Sequence, residues 1–262
     1  MSLTASNYKT ELSKKIAQKI GRAISDFAMI REGDRILVGT SGGKDSNLLL
    51  HALHRLRSIS PIRFELAAAV IDPTEAWELA PLSEYARVLS IDLEVIRHPT
   101  FAILDASPKT AACSLCANLR RGILASAAKR LGCNVLALGH HRDDAVETVF
   151  MNLIYTGRFA CFHPHMYMSR SGLRVIRPMV YVPEREIASE ASRLELPLID
   201  FECGYAHSSS RARIKEGLKN LSLVAGAENF SSNVIHALRQ SREDGAWGCA
   251  APNFKEAGDD FR

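Results

Sequence analysis

Hydrophobic positions recur along this chain in two alternating rhythms. Near the start, Leu12, Ile16, Ile20, Ile24 and Phe27 fall four, four, four and three residues apart, which is one stripe of a helix. The helical reading covers the first 34 residues and stops at the charged turn Arg31-Glu-Gly-Asp34. Compact apolar runs at Arg35–Gly39, Phe64–Asp72, Leu93–Arg97, Asn134–Gly139 and Arg174–Arg177 read as strands. Between them, Ser46–Leu56, Cys113–Leu131 and Arg142–Tyr155 carry helical spacing. Gly132 stands where a helix C′ residue would, and Pro183 opens a further helix at its first turn.

Strands alternating with helices predict an α/β fold with a doubly wound parallel sheet. Residues 1–34 are expected to form an N-terminal helical segment, 35–200 the α/β domain, and 201–262 a C-terminal segment with helices and a frayed tail from Ala246 onward. Gly157–Gly172 follows neither rhythm and is expected to be a mobile loop. No internal repeat, low-complexity tract or interdomain linker is visible.

Composition narrows the class. With 47% hydrophobic and 24% charged residues in 262, the chain can bury an ordinary core without disulfides. The longest apolar run, Leu66–Ile71, is far too short to span a bilayer, so no membrane role is expected. Met1–Thr10 is polar and has no apolar signal core, so the expected location is cytoplasmic. There, six cysteines serve as ligands or catalysts more often than as disulfides. The net charge of +4 hides an asymmetry: Ala106–Pro183 holds ten Lys or Arg against three acids, Asp143, Asp144 and Glu147. A solvated basic face or a surface for a polyanion would both account for it.

The sharpest motif is Gly39-Thr-Ser41-Gly42-Gly43-Lys44-Asp45-Ser46, placed where a strand turns into a helix. Paired glycines let the backbone approach an anion, and a helix N-terminus offers unpaired N–H groups and a positive dipole end. Lys44 adds charge, Ser41 and Ser46 add hydroxyls, and Asp45 can hold a divalent cation. The spacing is not that of a Walker loop. Ser41-Gly-Gly-Lys-Asp-Ser46 resembles the pyrophosphate-loop signature of enzymes that cleave ATP between its α and β phosphates.

Cys113-Ser-Leu-Cys116 opens a predicted helix, and i, i+3 spacing sets both sulfurs on one face of its first turn. A redox dithiol, half of a zinc site and part of an iron–sulfur cluster are all open on spacing alone. Cys203 is the best third sulfur; Cys133 reads as a core residue, and Cys161 and Cys249 as bystanders. After the fourth strand, Gly139-His140-His141-Arg-Asp143-Asp144 should share a crevice with the phosphate loop. Asp143 or Asp144 could hold magnesium, and His141 and Asp144 could orient a reacting group. Asp144 could also cap the helix that carries Glu147. Asp72 ends the second strand, placed for either a ribose contact or a turn.

These motifs together resemble the TtcA-type tRNA 2-thiocytidine synthetases. The likeness runs from about Ile20 to Leu221, through Asp26–Arg35, the phosphate loop, Cys113–Leu124, Leu138–Asp144 and Val175–Pro178. It implies an adenine-nucleotide α-hydrolase fold and a tRNA sulfurtransferase that consumes ATP and releases AMP and diphosphate. It also implies Mg2+ and a 4Fe-4S cluster on Cys113, Cys116 and Cys203. Lys44, Asp45, His141 and Asp144 would act in catalysis. Ser41, Gly42, Gly43, Lys44, Asp45, Ser46, Asp72 and Gly139 would bind the nucleotide. The implied partners are tRNA and a sulfur donor such as a cysteine desulfurase, with a homodimer among the open alternatives. One departure is plain: Asp200-Phe-Glu-Cys203-Gly204-Tyr-Ala-His207 keeps only the second cysteine of the family's distal pair. The competing readings are an adenylating enzyme without sulfur chemistry, and a non-catalytic iron–sulfur protein that binds RNA or senses redox state. The basic segment would line the chemistry, with Arg158 on RNA phosphate and Phe159 or Phe162 stacking on a base.

Overall fold

The computed structural model describes residues 11–74, 77–106, 112–199, 210–241 and 246–247, with backbone alone at 112–114. Six strands form one sheet: β1 (Asp34–Thr40), β2 (Phe64–Asp72), β3 (Asp92–Arg97), β4 (Val135–Ala137), β5 (His165–Met168) and β6 (Leu173–Ile176). Their order is β3-β2-β1-β4-β6-β5. All neighbours pair in parallel except β5 and β6 at one edge. The chain reverses winding between β1 and β4, where an open α/β sheet leaves a crevice at its C-terminal edge.

Alternation along the strands sorts side chains onto two faces. Ile36, Val38, Leu66, Ala68, Val135, Ala137 and Ile176 join one core with Leu48, Leu49, Leu50 and Leu53 of α2 (Lys44–Ile59). Val146 of α6 (Arg142–Thr156) and Ile187 of α7 (Glu184–Arg193) belong to the same core. Each of the fully buried leucines contributes about 1.5–3 kcal/mol. Leu37, Ala67, Ala69, Leu136 and Val175 face the other way, against Leu124, Ala125, Ala127 and Ala128 of α5 (Ala112–Arg130). Small residues on both sides let α5 lie close to the sheet: a Cβ on Gly39 would sit 2.8 Å from Leu124 Cδ1.

The N-terminal helix is shorter than its stripe suggests. α1 (Lys14–Asp26) ends before Ala28, which adopts φ 45°, and Met29 and Ile30 then turn into the core. Asp34 does not serve as a helix stop; it is buried and paired with Arg174. α1 packs Ile16 and Ile20 into the main core, as α9 (Phe230–Gln240) does with Ile235 and Leu238. Two short helices, α3 (Ala80–Val88) and α4 (Thr100–Asp105), complete the β2–β3 and β3–α5 connections.

Two further expectations are corrected. The stretch expected to be a mobile loop contains β5, whose His165 Nδ1 donates to Phe27 O at 2.9 Å. The tail is not frayed at its start: Ala246 and Trp247 are buried, and Trp247 Nε1 donates to Phe162 O at 2.8 Å. Among the described residues no helix is long and apolar enough to cross a membrane.

Candidate active site

The phosphate loop lies where the topology puts the crevice, between the ends of β1 and β4. Gly43 caps α2 in extended conformation, and Gly42 takes φ +73°. Ser41 N donates to Ser46 Oγ at 3.0 Å, and Ser46 Oγ donates to Gly43 O at 3.1 Å, which closes the loop on itself. Gly42 O accepts Ile199 N at 2.9 Å, and a Cβ on Gly42 would lie 2.3 Å from Ile199 Cδ1. Residues 197–199 therefore strap the loop from above. Asn47 holds the same strap through Pro197 O. A Cβ on Gly139 would meet Ser46 N at 3.2 Å, so this glycine lets the segment after β4 press against the first turn of α2.

Lys44 is the first residue of α2. Its Nζ is 3.4 Å from Asp45 Oδ1 and 3.1 Å from Glu184 Oε1 at the start of α7. Burial works against its charge, but Asp45 and Glu184 lift the ammonium above its ordinary value. Burial pushes the Asp45 carboxyl up, against the pull of His141 and Lys44. Asp45 Oδ1 is buried, and its nearest donor, Lys44 Nζ at 3.4 Å, makes no well-aligned hydrogen bond with it. A carboxylate oxygen so weakly engaged beside a phosphate loop fits Mg2+, which is held by one or two carboxylates and by substrate phosphates. Among the described residues no group of three or more potential ligands converges as an all-protein cage.

His141 and Asp144 meet as a capping box. The cap residue is His141, not Asp144: His141 Nδ1 accepts Asp144 N at 3.4 Å, and Asp144 Oδ2 accepts His141 N at 2.9 Å. The expectation of Asp144 as cap is corrected, because Asp144 is the N3 partner that reaches back. With Nδ1 accepting, the neutral ring carries its proton on Nε2, which faces Asp144 Oδ2 at 3.5 Å and Asp45 Oδ1 at 4.0 Å. Asp143 is committed elsewhere, accepting Glu184 N at 2.7 Å and so fixing the start of α7. His140 packs against Phe162 with the rings tilted by 50° and their centroids 5.0 Å apart; burial and the charge of Arg177 push its imidazole down to about 3.

Several charged residues here carry no spacing signal and escape sequence reasoning. Arg211 of α8 (Ser210–Val224) reaches Asp144 Oδ1 at 3.1 Å and Glu147 Oε2 at 3.7 Å. Burial and Asp144 raise the Glu147 carboxyl to about 7. Lys215 Nζ sits 2.6 Å from Glu184 Oε2. Burial would raise the Glu184 carboxyl, yet Lys215 and Lys44 hold it down to about 2. Arg177, only 4% exposed just beyond β6, lies 4.9 Å above the Phe162 ring and donates to His163 O.

The remaining candidates are distributed unevenly. Asp72 ends β2 with both oxygens in its own turn: Oδ1 accepts Thr74 N at 3.1 Å and Oδ2 accepts Trp77 N at 3.2 Å. α5 precedes β4 and begins at the crevice end of the sheet, which brings Cys116 there half-buried. The Cys113 side chain and all of Cys203 lie outside the described residues, as does Cys249.

Cys133 is buried, as expected of a core residue, and burial raises its thiol. Burial pushes the Cys161 thiol up to about 12. The basic segment does not encircle the chemistry as expected. Helix α6 runs away from the crevice, so Arg158 just beyond its C-terminus, and Arg170 in the β5–β6 turn, lie toward the opposite edge. Phe159 and Phe162 pack against the main core.

A family model described as a PP-loop domain matches residues 12–221 of the chain. The tRNA-cytidine(32) 2-sulfurtransferase of Syntrophotalea carbinolica is 41% identical over 235 residues, covering 87% of this chain and 89% of that one. The protein of the same name from Geobacter sulfurreducens is 40% identical over 213 residues, covering 79% and 83%. Among solved structures, the U34-tRNA thiolase NcsA from Methanococcus maripaludis with its [4Fe-4S] cluster superposes with a TM-score of 0.66. It shares 21% identity over 85% of this chain and 76% of that one, a likeness of fold. Phosphate loop, switch point and relatives agree: the chain belongs to the PP-loop family and, within it, to the tRNA-cytidine 2-sulfurtransferases.

Proposed function

We propose that this chain replaces the C2 oxygen of a cytidine in tRNA by sulfur, at the expense of ATP. The observation that carries the reading is the phosphate loop set in one crevice with the start of α5, where Cys113 and Cys116 stand. The ring oxygen attacks the α-phosphorus of ATP and diphosphate leaves; a sulfur nucleophile then adds at C2 and AMP departs.

Backbone N–H groups at the start of α2 and Lys44 hold the phosphates, and Asp45 would hold Mg2+, which offsets the charge of the departing diphosphate. His141 and Asp144 line the space beside Asp45, where a proton or a ring edge would be oriented. Ser41, Gly42, Gly43, Ser46 and Gly139 complete the nucleotide side, while Asp72 spends both oxygens on its own turn. Cys113, Cys116 and Cys203 would hold a 4Fe-4S cluster, which supplies an iron open to sulfide when bound. NcsA, a tRNA thiolase that carries a [4Fe-4S] cluster, supports that reading. The chain's work would then be cytoplasmic, with tRNA and a sulfur donor as partners.

Nucleoside mass spectrometry on tRNA from a deletion strain tests the function. The 2-thiocytidine signal should vanish and return with the wild-type gene; an unchanged signal overturns the substrate.

Exposed arginines on the crevice side are Arg120 and Arg121 of α5 and Arg213 of α8. Each that contacts an RNA phosphate contributes about one unit to the slope of log affinity against log salt. Arg121→Ala and Arg213→Ala are expected to reduce that slope singly while ATP affinity stays unchanged. Slopes equal to wild type would place the RNA elsewhere.

A further inference from the structure

We propose that Glu184 is the positioning residue of the phosphate-loop lysine, and that it couples nucleotide occupancy to α8, the helix that follows Cys203. Its carboxylate is divided between two cations on different elements: Oε1 takes Lys44 at 3.1 Å and Oε2 takes Lys215 at 2.6 Å. The group cannot drift, because the Glu184 backbone N–H is held by Asp143 Oδ2 at 2.7 Å, on the segment that supplies His141 and Asp144. Helix α8 buries no residue completely, so its hold on the domain leans on charge. That hold includes Lys215 on Glu184 and Arg211 on Asp144, Glu147 and Thr148, with Leu218 lying against the core.

The consequence follows from competition. Without nucleotide, Lys44 rests on Glu184 and Asp45. A triphosphate in the loop draws Lys44 toward it, and among the described residues Glu184 is left with Lys215 as its cationic partner. The carboxylate that was shared then serves α8 alone, and α8 is held more firmly. Linkage makes the effect mutual: whatever strengthens the Lys215 contact eases the release of Lys44 to the phosphates. This rests on the reading of Lys44 as a ligand of ATP phosphates.

The test uses the full chain and α,β-methylene ATP with magnesium, which cannot be cut between its first two phosphates. In the wild type, amide hydrogen exchange across residues 210–224 should slow when the analogue binds. Lys215→Met leaves Glu184 wholly to Lys44 and should weaken analogue affinity about fivefold, at the low end of usual coupling factors. Glu184→Gln frees Lys44 and removes a negative charge beside the phosphates. It should bind the analogue more tightly, turn over ATP more slowly, and lose the nucleotide effect on α8.

A merely structural Glu184 would weaken binding or leave it alone. Analogue binding that leaves α8 exchange unmoved in the wild type overturns the coupling, as does weaker binding by Glu184→Gln. Should that variant not fold, the wild-type exchange and Lys215→Met decide by themselves. A wild-type chain that takes up no analogue overturns the ATP reading itself, and the coupling with it.

Discussion

Lys44→Ala is expected to slow AMP formation from ATP by ~10²–10³-fold, the usual cost of removing one preorganised partner of developing charge. The fold should hardly notice. The Lys44 side chain is 31% exposed, and among the described residues its ion-pair partners are Asp45 and Glu184, both partly in solvent. Such pairs contribute ~0–1 kcal/mol. The variant should therefore melt close to the wild type, and Glu184 keeps Lys215 as its counter-charge. Single-turnover measurement of AMP, set beside a thermal melt, separates the two effects. AMP released at the wild-type rate would remove Lys44 from the chemistry.

Iron content is the second large effect. Protein prepared without oxygen should be brown and carry about four irons per chain. Alanine at Cys113, Cys116 or Cys203 should each abolish the colour and most of the iron. Alanine at Cys133 or Cys161 should leave both, because ligation needs a thiolate and burial disfavours it at these two positions. Cys161 also spends its thiol on Ala145 O at 3.5 Å. Full iron in Cys203→Ala would move the third ligand to another residue.

What could be read in advance follows a physical division. Strand β2 matches its expected limits, Phe64–Asp72, because a strand buried on both faces is a continuous apolar run. The phosphate loop was legible because each of its residue types answers a local need of an anion at a helix start. Strand β5 was not, since His165-Met-Tyr-Met168 is only four residues at a sheet edge, and its solvent-facing position is the apolar Tyr167, which hides the alternation. Arg158 was assigned to the crevice on proximity in sequence alone; the direction of α6 decides its place, and direction is a property of topology. Glu184, Arg211 and Lys215 escaped for the same reason. An ion pair between residues 140 positions apart, such as Lys44 and Glu184, leaves no periodic trace. His141 was recognised as a site residue, but its role as helix cap required the turn geometry.

The strap over the phosphate loop has a thermodynamic meaning as well. Ile199 N donates to Gly42 O at 2.9 Å and Asn47 holds Pro197 O, so the loop is already fixed before any anion reaches it. A preordered loop gives up little conformational freedom on binding. The strap thus raises affinity by lowering the cost of association and adds no contact of its own to the anion.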